Sequence, residues 1–112
     1  MSQSVTGEFW ASAAVGTTAA GTGVDLRRYR EIAVILRVTA VSGTSPTLDL
    51  KYQVSYDGTN YTDIGTSHTQ ATGATIEYKY LTLFGSYVRA YATIGGTNTP
   101  LVTFSVGFIA KE

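Results

Sequence analysis

The sequence predicts an all-β domain: an antiparallel β-sandwich, jelly-roll or Ig-like, of about seven to eight strands with two related hairpins. Three observations carry that prediction. Apolar and polar residues alternate over several stretches, β-branched residues crowd those stretches, and clusters of Gly, Asn, Asp and Thr separate them. A chain of 112 residues with 44% hydrophobic content suffices for one core, so a single domain is expected.

Taken in order, the first strand runs from Gly7 to Ala13, with Phe9 and Trp10 beside Glu8 as its anchors. The next segment, ASAAVGTTAAGTG, is too rich in Gly and Thr to hold a helix alone. Residues 1–24 therefore read as a first strand plus a flexible arm or loop, and residues 25–112 as the sandwich body. DLRRYR then gathers Arg27, Arg28 and Arg30 ahead of EIAVILRVTAV, whose Ile32, Val34, Leu36, Val38 and Ala40 share one face. That nearly unbroken apolar run marks a central strand. In TLDLKYQVSY, Leu48, Leu50, Tyr52, Val54 and Tyr56 face the core, while Asp49, Lys51, Gln53 and Ser55 face water. Shorter strands fit Tyr61 to Gly65 and Ala74 to Leu81. Two long ones close the chain: SYVRAYATI, with Val88, Ala90, Ala92 and Ile94 inward, and LVTFSVGFIA, with Val102, Phe104, Val106 and Phe108 inward.

These long strands resemble one another. A shift of 52 positions lays RVTAVSGTSPTLDLKYQV on RAYATIGGTNTPLVTFSV, matching Arg37 with Arg89, Gly43 with Gly95 and Val54 with Val106, with the apolar faces in phase. The expected unit is a hairpin closed by Gly-Thr-Ser or Gly-Thr-Asn, present twice through duplication or through the shared grammar of one sandwich.

Candidate sites follow from residue chemistry. SYDGTNYTDIG reads first as a hairpin tip, because Asp57-Gly58 tolerates positive φ and Asn60 can cap the turn. Tyr56 and Tyr61 would then pack across that hairpin, or, with Asn60, offer rings and an amide to a saccharide. Asp57, Asn60 and Asp63 lack the ligand spacing and terminal Glu of an EF-hand, so no metal is expected. His68, the single histidine, lies in a polar small-residue stretch and reads as a solvated loop residue. Arg37 and Arg89 either meet another subunit or pair locally with an acid such as Asp49 or Glu77. The arginine cluster at residues 27–30 suits an acidic protein surface better than nucleic acid, since net charge is zero.

No cysteine is present, which removes disulfides and thiolate chemistry. No phosphate loop, nucleophile elbow or zinc motif occurs, so neither catalysis nor a cofactor is expected. MSQSVTGEFW lacks the features of a signal peptide, and no apolar run reaches membrane-span length; synthesis in the cytoplasm with no membrane partner is expected.

GTGVDLRRYREIAVILRVTAVSGTSPTLDLKYQVSYDGTNYTDIG, followed after a variable loop by GSYVRAYATIGGTNTPLVTFSVGFIAK, resembles small β-sandwich structural proteins of tailed bacteriophages. The similarity runs from Gly21 to Lys111 and rests on GTSPTLDLKYQVSYDG, YTDIG and YVRAYATIGGTNTP, which are strand and turn grammar. The resemblance implies a virion component, above all a capsid decoration (cement) protein on the outer capsid surface, where such proteins commonly sit as homotrimers and hold major capsid subunits together. It carries no catalytic residue. Under that reading Phe9, Trp10, Arg27, Arg28 and Arg30 are the candidate capsid contacts. The alternatives are a carbohydrate- or receptor-binding module using Tyr56, Asn60 and Tyr61, and a tail or head-to-tail connector subunit.

Overall fold

The computed structural model describes residues 4–83 and 86–112. Its strands are β1 (Ser4–Val15), β2 (Ala19–Ala20), β3 (Val24–Asp25), β4 (Glu31–Ser55), β5 (Thr62–Ser67), β6 (Thr75–Thr82) and β7 (Tyr87–Lys111). The expected all-β antiparallel architecture is present, and the seven strands form one hydrogen-bonded sheet. Its through-order is β1-β7-β4-β5, with β2 and β3 also on β7 and β6 also on β4.

The two central strands are too long to lie straight. Each has 25 residues, a contour of about 80 Å at the usual rise, yet the longest dimension of the molecule is 49 Å. The ribbon they make must fold over. Phe9 lies beside the end of β7, against Phe108, and Phe108 is paired with Val34 early in β4. Tyr52 lies about 60 Å of contour farther along β4, but the Phe9 and Tyr52 rings are 6.0 Å apart. The two halves of the sheet therefore face each other. One half holds β1, residues 102–111 of β7, residues 31–41 of β4, and β6; the other holds β2 and β3, residues 87–94 of β7, residues 48–55 of β4, and β5.

This arrangement corrects the expectation of two hairpins. Neither β4 nor β7 pairs with itself; they pair with each other from Glu31 with Lys111 to Ser55 with Tyr87. GTSP and GGTNTP do not close hairpins but turn a shared corner side by side. Asn98 Nδ2 donates to Thr44 Oγ1 across it at 2.6 Å. Gly43 and Gly96 hold φ of 95° and 118° there, and a Cβ on Gly96 would come within 2.9 Å of the Ser45 carbonyl. The repeat in the sequence nevertheless has a structural counterpart. Moving the couples from Ile35 with Gly107 to Val38 with Phe104 by 52 positions returns the couples from Ser55 with Tyr87 to Tyr52 with Ala90, as Leu36 with Val106 becomes Val88 with Val54. The corner is a pseudo-two-fold centre of the ribbon.

The expected arm is not free. Segment 11–24 follows β7 around the corner: β1 continues to Val15, Ala19 pairs with Ala92, and Val24 pairs with Val88. Its glycines serve close approach. A Cβ at Gly21 would meet the Trp10 ring at 2.9 Å, one at Gly16 would meet Leu101 at 2.9 Å, and one at Gly23 would collide with the Tyr61 hydroxyl. Between the halves lies one core containing Phe9, Leu36, Leu48, Leu50, Tyr52, Val88, Val102, Phe104 and Val106, all but Phe9 from the phases that alternation marks as inward.

Candidate partner-binding face

Between β3 and β4 the chain crosses from one half of the sheet to the other, and buried Leu26 and Leu83 close that end of the core. Tyr29 N–H donates to the Leu26 carbonyl, and Arg30 N–H donates to that of Lys111, both at 3.0 Å. This tight crossing turns the arginines outward. Arg27 folds back on Asp25, with Nε and Nη2 donating at 2.9 and 2.8 Å, and that side-chain hydrogen bond pulls the Asp25 carboxyl down to about 2. Its guanidinium also lies 4.7 Å from the centre of the Tyr87 ring. Arg28 pairs with Glu112 at 2.9 Å, and Arg30 is exposed. Together with Tyr29, Glu31, Thr82 and Leu83, these arginines line an open depression of about 780 Å³.

The aromatic candidates separate. Phe9 is 2% exposed and stacked on Phe108 at 4.7 Å, so it is a core residue and is withdrawn as a contact. Trp10 is half-buried on Phe104, 5.0 Å between ring centres.

SYDGTNYTDIG proves to be a turn that consumes its own polar groups. Asp57 Oδ1 accepts from the Thr59 and Asn60 N–H groups at 2.9 Å and from the Ser55 hydroxyl at 2.8 Å, while Asn60 Nδ2 donates to Oδ2. Those backbone donors, first that of Asn60, hold the Asp57 carboxyl far below the usual carboxylate range. Asp63 is engaged by Lys51 and Gln53. Tyr56 and Tyr61 do not pair: Tyr56 is 85% exposed, and Tyr61 lies under the Arg89 guanidinium at 4.1 Å. Arg89 also donates to Gln53 at 2.8 Å rather than to an acid. The structure does bring this loop and Arg27 to the same end of the fold, since both Gly58 and Arg27 pack on Tyr87.

His68 departs furthest from its expected role. It is buried, because β5 leads into a loop that folds across the core: His68 N–H donates to the Leu50 carbonyl, and Ala71 exchanges two backbone hydrogen bonds with Leu48. Its Nδ1 is 2.8 Å from Glu77 Oε1 and its Nε2 is 2.7 Å from Tyr52 Oη. A carboxylate only accepts, so Nδ1 carries the proton and Nε2 accepts from the tyrosine. Burial lowers the His68 pKa against the opposing pull of Glu77, and burial raises that of Tyr52. An acid, an imidazole and a hydroxyl in a row is a catalytic arrangement in form, but Tyr52 is 0% exposed and no substrate reaches its oxygen. The chain of hydrogen bonds ties β4, the loop and β6 together.

Glu77 points inward, and with it goes the phase of β6. Leu81 and Leu83 are buried on the same phase, so Ile76, Tyr78 and Tyr80 stand outward at 61%, 57% and 78% exposure. Register places Tyr80 beside Ala33 and then Ile109, Tyr78 beside Ile35, and Ile76 beside exposed Arg37. This apolar face meets the arginine depression, because Glu31 and Thr82 line both that depression and a hollow of about 270 Å³ beside Tyr80 and Ile109. It was not anticipated from sequence. The signal was there: Leu81 and Leu83 share one alternation phase, and Ile76, Tyr78 and Tyr80 share the other.

The fold has a solved counterpart. The SPBc2 prophage-derived protein YomS superimposes with a TM-score of 0.65 over 100% of this chain and 96% of that one, at 14% sequence identity. No family model matches the sequence, and no curated protein does. At that identity the likeness establishes a shared fold, so the sheet of this chain has the fold of a prophage-derived protein.

Proposed function

We propose that this chain is a non-enzymatic structural protein of a phage particle, a β-sandwich decoration protein that binds the outer surface of the major capsid lattice and stabilises it. The observation that carries the reading is the outer face of β6 and its neighbours. Soluble monomers rarely leave three large apolar side chains of one strand exposed in a row, and such faces mark protein–protein contact. Here the row lies on a rigid sheet and is bordered by Arg28 and Arg30 at one end and Arg37 at the other, side chains suited to carboxylates on a partner. The shared fold with a prophage-derived protein and the resemblance of the strand and turn segments favour a phage partner. The saccharide alternative loses support, because Asn60 and Tyr61 are occupied within the protein and Tyr56 alone stands free.

The test is to mix the purified protein with expanded, undecorated capsids, sediment them and count bound copies. Saturation on the order of hundreds of copies, with greater resistance of the shell to heat, supports decoration. Binding of about a dozen copies or fewer overturns it in favour of a tail or connector position.

A further inference from the structure

A regular sheet edge invites pairing, and proteins blunt such edges with bulges, short strands or inward charges. Most outer strands here are blunted. β1 carries two register shifts, β5 one, and β2 and β3 have two residues each. β6 is the exception, with eight consecutive residues paired to β4 without a shift and, among the described residues, no strand on its other side.

The direction of its free backbone groups follows from the register. Leu83 N–H donates to the Arg30 carbonyl, which fixes the hydrogen-bonded couples of the antiparallel pair as Leu81 with Ile32, Lys79 with Val34 and Glu77 with Leu36. The residues between them, Ile76, Tyr78 and Tyr80, turn their N–H and C=O groups to the open edge.

We infer that this edge docks a second copy of the same chain, β6 against β6 in antiparallel register about Tyr78. The sequence IEYKY is complementary to itself in that register: Tyr78 meets Tyr78, Ile76 meets Tyr80, and Glu77 meets Lys79 in both directions. The three couples on the outer face exchange about six backbone hydrogen bonds. Glu77 and Lys79 fall in the non-hydrogen-bonded couples, where side chains approach most closely. Registers two residues to either side set Glu77 against Glu77 or Lys79 against Lys79, so charge selects the central one. An inward lysine on an edge strand ordinarily blocks pairing; here the second copy supplies its counter-ion. Glu77 remains held by His68 and the Thr69 N–H through one oxygen, Oε1, leaving the other for that lysine. Because the contact runs along the edge, Ile76, Tyr78 and Tyr80 of both copies form one doubled apolar face. The pairing stands whether or not the capsid is the partner of that face.

The test is the solution mass of the full chain by sedimentation equilibrium up to ~100 µM, with circular dichroism as the folding control. Since the chain is 11.9 kDa, a species of about 24 kDa is expected. Tyr78→Pro removes an N–H aimed at the open edge and none that bonds β4, so it should leave the fold intact and give a monomer. Lys79→Glu sets like charges opposite each other and should weaken association at least about tenfold. A wild-type monomer, a trimer of about 36 kDa, or a folded Lys79→Glu variant that dimerises as well as the wild type overturns the inference. Lys79→Glu decides the matter if Tyr78→Pro fails to fold.

Discussion

Tyr52→Phe isolates the buried hydrogen-bond chain with little change in packing. The ring stays in the core, 5.5 Å from the imidazole and 6.0 Å from Phe9, and one oxygen is lost. That oxygen donates at 2.7 Å to His68 Nε2, whose side chain has 0% exposure. Without it a buried acceptor has no donor, which costs about 1–3 kcal/mol. For a chain of 112 residues each kcal/mol corresponds to about 4 °C in melting temperature. The expected result is a fall of about 4–12 °C at neutral pH, with an unchanged urea m-value because the surface exposed on unfolding is the same. A loss below about 0.5 kcal/mol would refute the reasoning, since it would mean that Nε2 finds another partner or that the ring is solvated.

Further outcomes follow from the same geometry. The fold prefers neutral His68, because burial holds its pKa below the ordinary 6.5; this contribution is complete above that value and is lost as pH falls through the folded one. Glu77 acts in the same sense at lower pH: desolvation opposes its ionisation, but hydrogen bonds from Thr69 and His68 outweigh it. Urea midpoints measured between about pH 7.5 and 5 should therefore decline in the wild type and decline less in His68→Phe. Gly96→Ala should destabilise by about 1–3 kcal/mol, since φ is 118° and the new Cβ meets three backbone atoms within 3.0 Å. Gly73→Ala, with open space and no positive φ, should be neutral in the same thermal assay. Phe9→Ala should cost about 3–5 kcal/mol in urea unfolding, whereas Arg28→Ala with Arg30→Ala should leave stability within about 0.5 kcal/mol and weaken capsid binding.

Much of the architecture was legible because the alternation is local. Leu48, Leu50 and Tyr52, Val88 to Ala92, and Val102 to Phe108 show their inward faces in the chain itself, since a strand's side-chain period is a property of its backbone. The Asp57-Gly58 turn was legible for the same reason: its cap is made within a few residues. Partner choice is not local. GTSP and GGTNTP have the residues of hairpin loops, and a hairpin and a bent ribbon bury the same side chains in the same phase; long-range pairing of β4 with β7 decides between them. Docking of the Gly-rich segment depends likewise on Trp10, Leu101 and Tyr61 arriving beside glycines remote from them in sequence or in the turn of the chain. His68 follows the same rule. Its polar surroundings in sequence gave no sign of burial, because Tyr52 and Glu77, which satisfy both ring nitrogens, come from other strands. The sequence by itself determined which face of each strand is apolar, and the tertiary structure alone decided which strands meet and that Ile76, Tyr78 and Tyr80 are left facing outward, since burial depends on what lies across from a face as well as on what the face is made of.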